Sequence, residues 1–154
     1  MTISEELIQQ AADSGAEVID WRFTSDQIKG LYCDGIIAVS DRLETSAERA
    51  CVLAEELGHH YTAAGDILDQ SLTVNRKQEQ KGRAWAYDRL IGLAGIVRAY
   101  KRGCRNRYEI AEELGVTEQL LVDALERYRE KYGSCARLGR YVVYLDPLGV
   151  MEMM

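Results

Sequence analysis

Apolar positions along the chain change their period several times, and each change marks an element. Residues 4–13 repeat at helical spacing. Glu17 to Phe23 (EVIDWRF) alternates apolar and polar, the pattern of a strand with one buried face. Asp26 to Ser40 (DQIKGLYCDGIIAVS) reads as a hairpin, with Gly30–Cys33 and Ile36–Val39 as strands and Asp34-Gly35 as the turn. Thr45 with Glu48 three residues later forms a capping-box signature for a long helix. Ala47, Ala50, Cys51, Ala54, Leu57, Gly58 and Tyr61 make its expected buried stripe. Asp66 to Thr73 is expected as a connection. A second helix is expected over about Asn75 to Ala99 and a break at Gly103. A helical pair follows, Tyr108–Leu114 and Thr117–Lys131, ended by Gly133. Arg140 to Leu145 (RYVVYL) reads as a strand, followed by Pro147. No internal repeat or low-complexity segment interrupts this order.

Composition narrows the class without altering the element order. The 154 residues are 47% hydrophobic, enough for one compact domain, or for one domain with a small appendage. No run of about 18 apolar residues is present, so no transmembrane helix is expected. The first residues, MTISEELIQQ, are polar and acidic and lack the apolar core of a signal peptide, so a cytoplasmic location is expected. A net charge of −6 opposes non-specific attraction to nucleic acid and to anionic membranes. Cys33, Cys51, Cys104 and Cys135 form no C-x-x-C pair, and free thiols are expected rather than disulfides or a zinc knuckle.

The chemistry concentrates in Ala54-Glu55-Glu56-Leu57-Gly58-His59-His60-Tyr61. This segment is one residue away from the zinc-peptidase helix H-E-x-x-H, in which two His four apart bind a metal and the Glu between them activates its water. Here the pattern is E-E-x-x-H. Residues four apart share a helix face, so Glu55 and His59 can reach a common ion. Glu56 is turned about 100° away and is the candidate general base. A third ligand must come from elsewhere, and Glu79 in the second helix is the best candidate. His60 and Tyr61 are candidates for supporting a ligand or touching substrate, although His60 also fits a plain surface position. A Glu-Glu-x-x-His run also arises on ordinary amphipathic helices, whose solvated faces are rich in acids.

The wider context is similar to a known family. Leu53 to Thr62 resembles the metal-binding helix of the ImmA/IrrE metallo-endopeptidases, most of all the branch found in prophages and integrative elements of Gram-positive bacteria. Arg76-Lys77-Gln78-Glu79-x-x-Gly82-x-x-Trp85-Ala86 resembles that family's second signature. Lys29-Gly30-Leu31-Tyr32 with Asp34-Gly35, and Ala124-Leu125-Glu126-x-Tyr128-x-x-Lys131-Tyr132-Gly133, also resemble the branch. The resemblance covers roughly residues 15–133. It implies a compact zincin-like domain followed by a small helix-turn-helix-like segment. It also implies cleavage of a helix-turn-helix repressor of the mobile element. Carried over by position, Glu56 is the general base, His59 a ligand and Glu79 the third ligand. Glu55 departs from the pattern. Two carboxylates and one imidazole neutralise a divalent ion more fully than two imidazoles and one carboxylate, so bound water is acidified less. Zinc is the expected ion, and oxygen-rich ligation also admits manganese or iron(II).

Glu109 to Thr117 has the turn chemistry of a helix-turn-helix: Ala111 for close approach, Gly115 for a left-handed turn and Thr117 as the next cap. DNA recognition would require basic or amide groups at the start of the second helix. That start is Thr117-Glu118-Gln119, with Asp123 and Glu126 beyond. The basic run Arg98, Lys101, Arg102, Arg105, Arg107 suits phosphates or an acidic partner. Trp21 and Trp85 are expected in the core or the cleft. The expected fold is α+β: a short β-sheet with the active-site helices over residues 1–100, then a helical segment with a C-terminal strand over 101–154. Three functions follow. The first is a metal-dependent endopeptidase acting on a helix-turn-helix repressor. The second is a protein of the same fold that binds a repressor without cleaving it. The third is a DNA-binding regulator.

Overall fold

The computed structural model describes residues 1–62 and 72–154, with residues 72–75 by backbone alone. Six helices and six strands occur among the described residues, an α+β fold. They form two compact units, Met1–Ala86 and Tyr87–Met154. The sequence placed its boundary at residue 100.

In the first unit, α1 (Ile3–Asp13) starts at Thr2, whose hydroxyl and the Glu5 carboxylate complete a capping box. The strands β1 (Glu17–Trp21), β2 (Gly30–Cys33) and β3 (Ile36–Ser40) form one sheet in the order β1-β3-β2. The hairpin β2–β3 is antiparallel, with Cys33 opposite Ile36. Asp34 (φ 47°) and Gly35 (φ 80°) make its tight turn, as the Asp-Gly pair predicts. β1 joins β3 in parallel, Glu17 opposite Ile36, and stops at Trp21 rather than at Phe23. α2 (Ser46–Thr62) begins where Thr45 accepts the Glu48 N–H at 3.1 Å. It packs on α1 and on β2 and β3. Leu7, Ile37, Val39, Leu53 and Leu57 fill the core there.

Three expectations about side chains require correction. Tyr61 is not part of the buried stripe of α2 but is 41% exposed. Ala47 is half-buried. Trp21 lies neither in core nor cleft: it is 56% exposed, because the strand ends there and its ring meets solvent. The connection expected over Asp66 to Thr73 lies, up to residue 71, outside the described residues, and helix is present from Leu72.

The second expected helix is two helices, α3 (Leu72–Leu90) and α4 (Gly92–Lys101). The break comes at Gly92, whose φ of +61° lies in the left-handed region that favours glycine. The buried Tyr128 hydroxyl accepts the Gly92 N–H at 3.2 Å and donates to Asp88 at 3.0 Å. Burial, and then the Asp88 carboxylate, hold that hydroxyl protonated well above the usual range. The second unit continues with α5 (Arg107–Leu114) and α6 (Glu118–Tyr132). Gly115 is left-handed and Thr117 accepts the Leu120 N–H, as the sequence predicts. β4 (Cys135–Leu138), β5 (Tyr141–Leu145) and β6 (Leu148–Glu152) form a second antiparallel sheet in that order. β4 and β6 were not anticipated. β6 includes Gly149, and both strands lack the unbroken run of aromatic, β-branched and aliphatic residues (YVVYL) that marks β5. None of the four cysteines is in a disulfide, and Cys51 is buried. Among the described residues no helix is long and apolar enough to cross a membrane.

The Tyr128 contacts predict the cost of losing one oxygen. Tyr128→Phe leaves the Gly92 N–H and the Asp88 carboxylate without this partner. The expected loss of stability is about 1–3 kcal/mol in chemical denaturation. A change within about 0.5 kcal/mol, the scatter of a neutral surface substitution, would show that the hydroxyl does not hold the helix break.

Candidate active site

The site is built where α2 and α3 come together, and two glycines permit the approach. Gly58 and Gly82 are both buried. A Cβ at Gly58 would fall on the Gly82 carbonyl oxygen, and would stand 3.0 Å from its carbonyl carbon. A Cβ at Gly82 would lie 2.6 Å from His59 Nδ1. Backbone contact at this point brings Glu79, one turn before Gly82 on α3, against His59, the residue after Gly58 on α2. His59 Nε2 and Glu79 Oε2 stand 3.2 Å apart. Arg83 Nε, one turn along α3, lies 3.5 Å from Glu79 Oε1. The aromatic rings of Tyr61 and Trp85 meet further along the same two helices, with centroids 5.1 Å apart.

Strand β2 closes the other side. A Cβ at Gly30 would be 2.6 Å from Val52 Cγ1 and 3.0 Å from Glu56 Cγ, so glycine lets β2 lie directly on α2. The resulting pocket, about 300 Å³, is lined by Gly30, Leu31, Tyr32, Glu56, His59, Thr62, Gln78 and Glu79. Glu56 is largely buried within it. Desolvation, then the charges of Glu79 and Glu55, push its carboxyl up from 4.5 to about 7. A carboxyl at that value exchanges a proton readily near neutrality.

Of the residues singled out by sequence, the structure thus brings Glu56, His59 and Glu79 to one pocket. Glu55 is half-buried one turn before His59 and is not among the pocket's lining residues. Among the described residues no three His, Cys, Asp or Glu side chains are gathered as a metal-holding group. The fit to a divalent ion is therefore partial. Two ligands of one tetrahedral zinc, at about 2.0–2.2 Å each, stand roughly 3.3 Å apart, and His59 and Glu79 match that spacing. Glu55 does not join them. Tyr61 points its hydroxyl to the Gln10 carbonyl at 3.4 Å. His60 contacts Tyr32 and Ser14. Sequence reasoning missed Gly30, Leu31, Tyr32, Thr62 and Gln78 as lining residues. It also missed the Gly58–Gly82 contact, for which a glycine on each of two adjacent helices was the available signal.

The family described as the IrrE N-terminal-like domain (Peptidase_M78) matches residues 11–126. The chain belongs to this family. The family is typically metal-dependent, and membership supports a metallopeptidase-like or regulatory role. A Mycobacterium tuberculosis transcriptional regulator is similar in fold, with a TM-score of 0.58 and 18% identity. The similarity covers 80% of this chain and 41% of that one, so the chain spans well under half of the regulator's length. No curated protein matches the chain.

Two predictions follow from the geometry. Gly58→Ala should gain up to about 1 kcal/mol in helix propensity. Overpacking against the Gly82 carbonyl should cost about 1–3 kcal/mol. A net loss of stability is expected, and a net gain would mean that the helices do not touch there. Glu56 makes stability fall with pH in metal-free protein. Its folded value of about 7 exceeds the unfolded 4.5, so its favourable contribution is complete below pH 4.5 and is lost as pH rises through 7. Glu56→Gln should remove that fall and be more stable at pH 8, on the order of 2–3 kcal/mol. Parallel stability profiles for the two proteins, with chelator present, would contradict the burial of Glu56.

Proposed function

We propose that the chain is a metal-dependent endopeptidase of the cytoplasm that cleaves a helix-turn-helix repressor of a mobile element or prophage. The observation that supports it most is the meeting of His59 and Glu79 at 3.2 Å in a pocket that also holds Glu56. His59 and Glu79 would hold the ion, with Glu55 the further donor that the E-E-x-x-H spacing offers on α2. The imidazole and carboxylate donors suit zinc, and also manganese or iron(II). When bound, the ion polarises the scissile carbonyl and acidifies water. Glu56 takes the proton from the attacking water. As the C–N bond breaks, the same carboxyl gives that proton to the leaving amine. Its place in the pocket beside His59 and Glu79 suits both transfers. Arg83 steadies the Glu79 carboxylate from the solvent side. Thr62 donates to the Gly58 carbonyl at 2.7 Å and rigidifies the last turn of α2.

A second reading, a repressor-binding protein without cleavage, is favoured by the position of Glu55 outside the pocket lining. Two measurements separate the readings. The endopeptidase should bind about one equivalent of zinc, manganese or iron after reconstitution. Its Glu56→Gln variant should keep fold and metal while losing about 10²–10⁴-fold in cleavage of the cognate repressor. Repressor binding with little metal and no cleavage would establish the second reading. In that case Glu55→His, which restores the imidazole of the H-E-x-x-H pattern, should raise zinc affinity.

A further inference from the structure

His60 is next to the candidate ligand His59, yet both of its ring nitrogens are engaged with other partners than the His59–Glu79 pair. His60 Nε2 lies 3.1 Å from the carbonyl oxygen of Ser14, and His60 Nδ1 lies 2.8 Å from the Tyr32 hydroxyl. The Gly35 N–H, in the β2–β3 turn, donates to that same hydroxyl at 3.2 Å. These contacts decide the proton positions. A carbonyl can only accept, so Nε2 carries a hydrogen. The hydroxyl already accepts from Gly35, and its own hydrogen needs an acceptor. Nδ1 of a neutral imidazole supplies one. Any other neutral arrangement sets a bare nitrogen against a carbonyl lone pair. Ser14 caps the C-terminus of α1, where the last carbonyls have no partner within the helix, so the His60 bond satisfies a group that would otherwise be orphaned.

We infer that His60 is a positioning residue: donating from Nε2 to the Ser14 carbonyl and accepting the Tyr32 hydroxyl at Nδ1, it clamps Tyr32, a wall of the pocket, between α2 and the end of α1. The inference rests on the reading that this pocket is the reaction site. Tyr32 and Gly30 lie two apart on β2, so both side-chain positions face the same side of the strand. At Gly30 the strand touches Val52 and Glu56 of α2, and at Tyr32 it is tied to His60 of the same helix. These two points fix how far β2 stands from Glu56 and His59, and hence the width of the pocket. The Tyr32 hydroxyl is spent in the clamp. It is not a donor for charge that develops on a substrate, and the contribution of Tyr32 is its ring.

Long-range nitrogen–proton NMR on histidine-labelled protein tests the tautomer directly, whatever the protein does to a repressor. At pH 7.5 the expected His60 pattern is a protonated Nε2 and a bare Nδ1. A protonated Nδ1, in either the neutral or the cationic ring, overturns the inference. Thermal melts of Tyr32→Phe, His60→Leu and the double variant give a second readout. Both singles should melt lower than wild type, and the double no lower than the worse single, because one clamp is lost in each case. Additive shifts overturn it. With cognate repressor as substrate, Tyr32→Phe should raise KM about 3–10-fold and leave kcat within about threefold. A transition-state donor would instead cost about 10²–10³ in kcat, and that result overturns it. Absence of cleavage by the wild type counts against the endopeptidase reading alone, and the tautomer and the melts still decide on the clamp.

Discussion

The backbone contact between Gly58 and Gly82 is the constraint on which the site depends. Side chains at either position would separate α2 from α3 and carry Glu79 away from His59. Residue 58 lies beside the first reactive group and residue 82 lies one turn past the second, so the distance between helices is set within one turn of the chemistry. Gly30 repeats the device on the other side of α2, where it lets β2 rest against Val52 and Glu56. Three glycines therefore hold α2 between a strand and a helix. Each costs helix or strand propensity of up to about 1 kcal/mol relative to alanine. That cost indicates that proximity at these points is worth more than local propensity.

Crowding at this junction explains the electrostatics. Glu55, Glu56 and Glu79 bring three carboxylates toward one end of α2, against which stand His59 and Arg83. Glu56 lines the pocket, and desolvation together with the charges of Glu79 and Glu55 raises its pKa. A positively charged occupant would relieve the same repulsion. The acidic crowding and the partial set of donors thus point in one direction, toward a cation, although Glu55 leaves its identity open to zinc, manganese or iron.

The second unit has a separate logic. Its helix-turn-helix geometry is fully built, with Asn106 capping α5, a left-handed Gly115 and Thr117 capping α6. The start of α6 is nevertheless Glu118 and Gln119, and Gln119 is bonded to Asp123 at 2.9 Å. Arg102 is paired with Glu113, and Arg105 is turned onto the Tyr100 ring and nearby carbonyls. Groups that a DNA-binding helix would direct at phosphates are here engaged with their own unit. The small sheet β4-β5-β6 packs against α4 and α6, with Val143 and Leu145 buried beneath it. This arrangement makes the unit a packed module.

The sequence by itself determined the elements with strong local signals. The Asp34-Gly35 hairpin, the Thr45 cap, the Gly115–Thr117 turn and the E-E-x-x-H helix all rest on backbone conformations or spacings that a few adjacent residues dictate. It also singled out Glu56, His59 and Glu79, because helical spacing and resemblance to a family identify residue types without requiring coordinates. What it could not supply depended on partners distant in the chain. The break at Gly92 is fixed by Tyr128, and β4 and β6 exist through pairing with β5. Tyr61 and Trp21 are exposed although helical spacing and residue type predict burial. The proton positions on His60 follow from Ser14, Tyr32 and Gly35, which lie far away in sequence. Only tertiary structure decides such contacts, since apolar burial and hydrogen-bond pairing act between whichever surfaces the fold brings together, whereas local propensity acts within a few residues of itself.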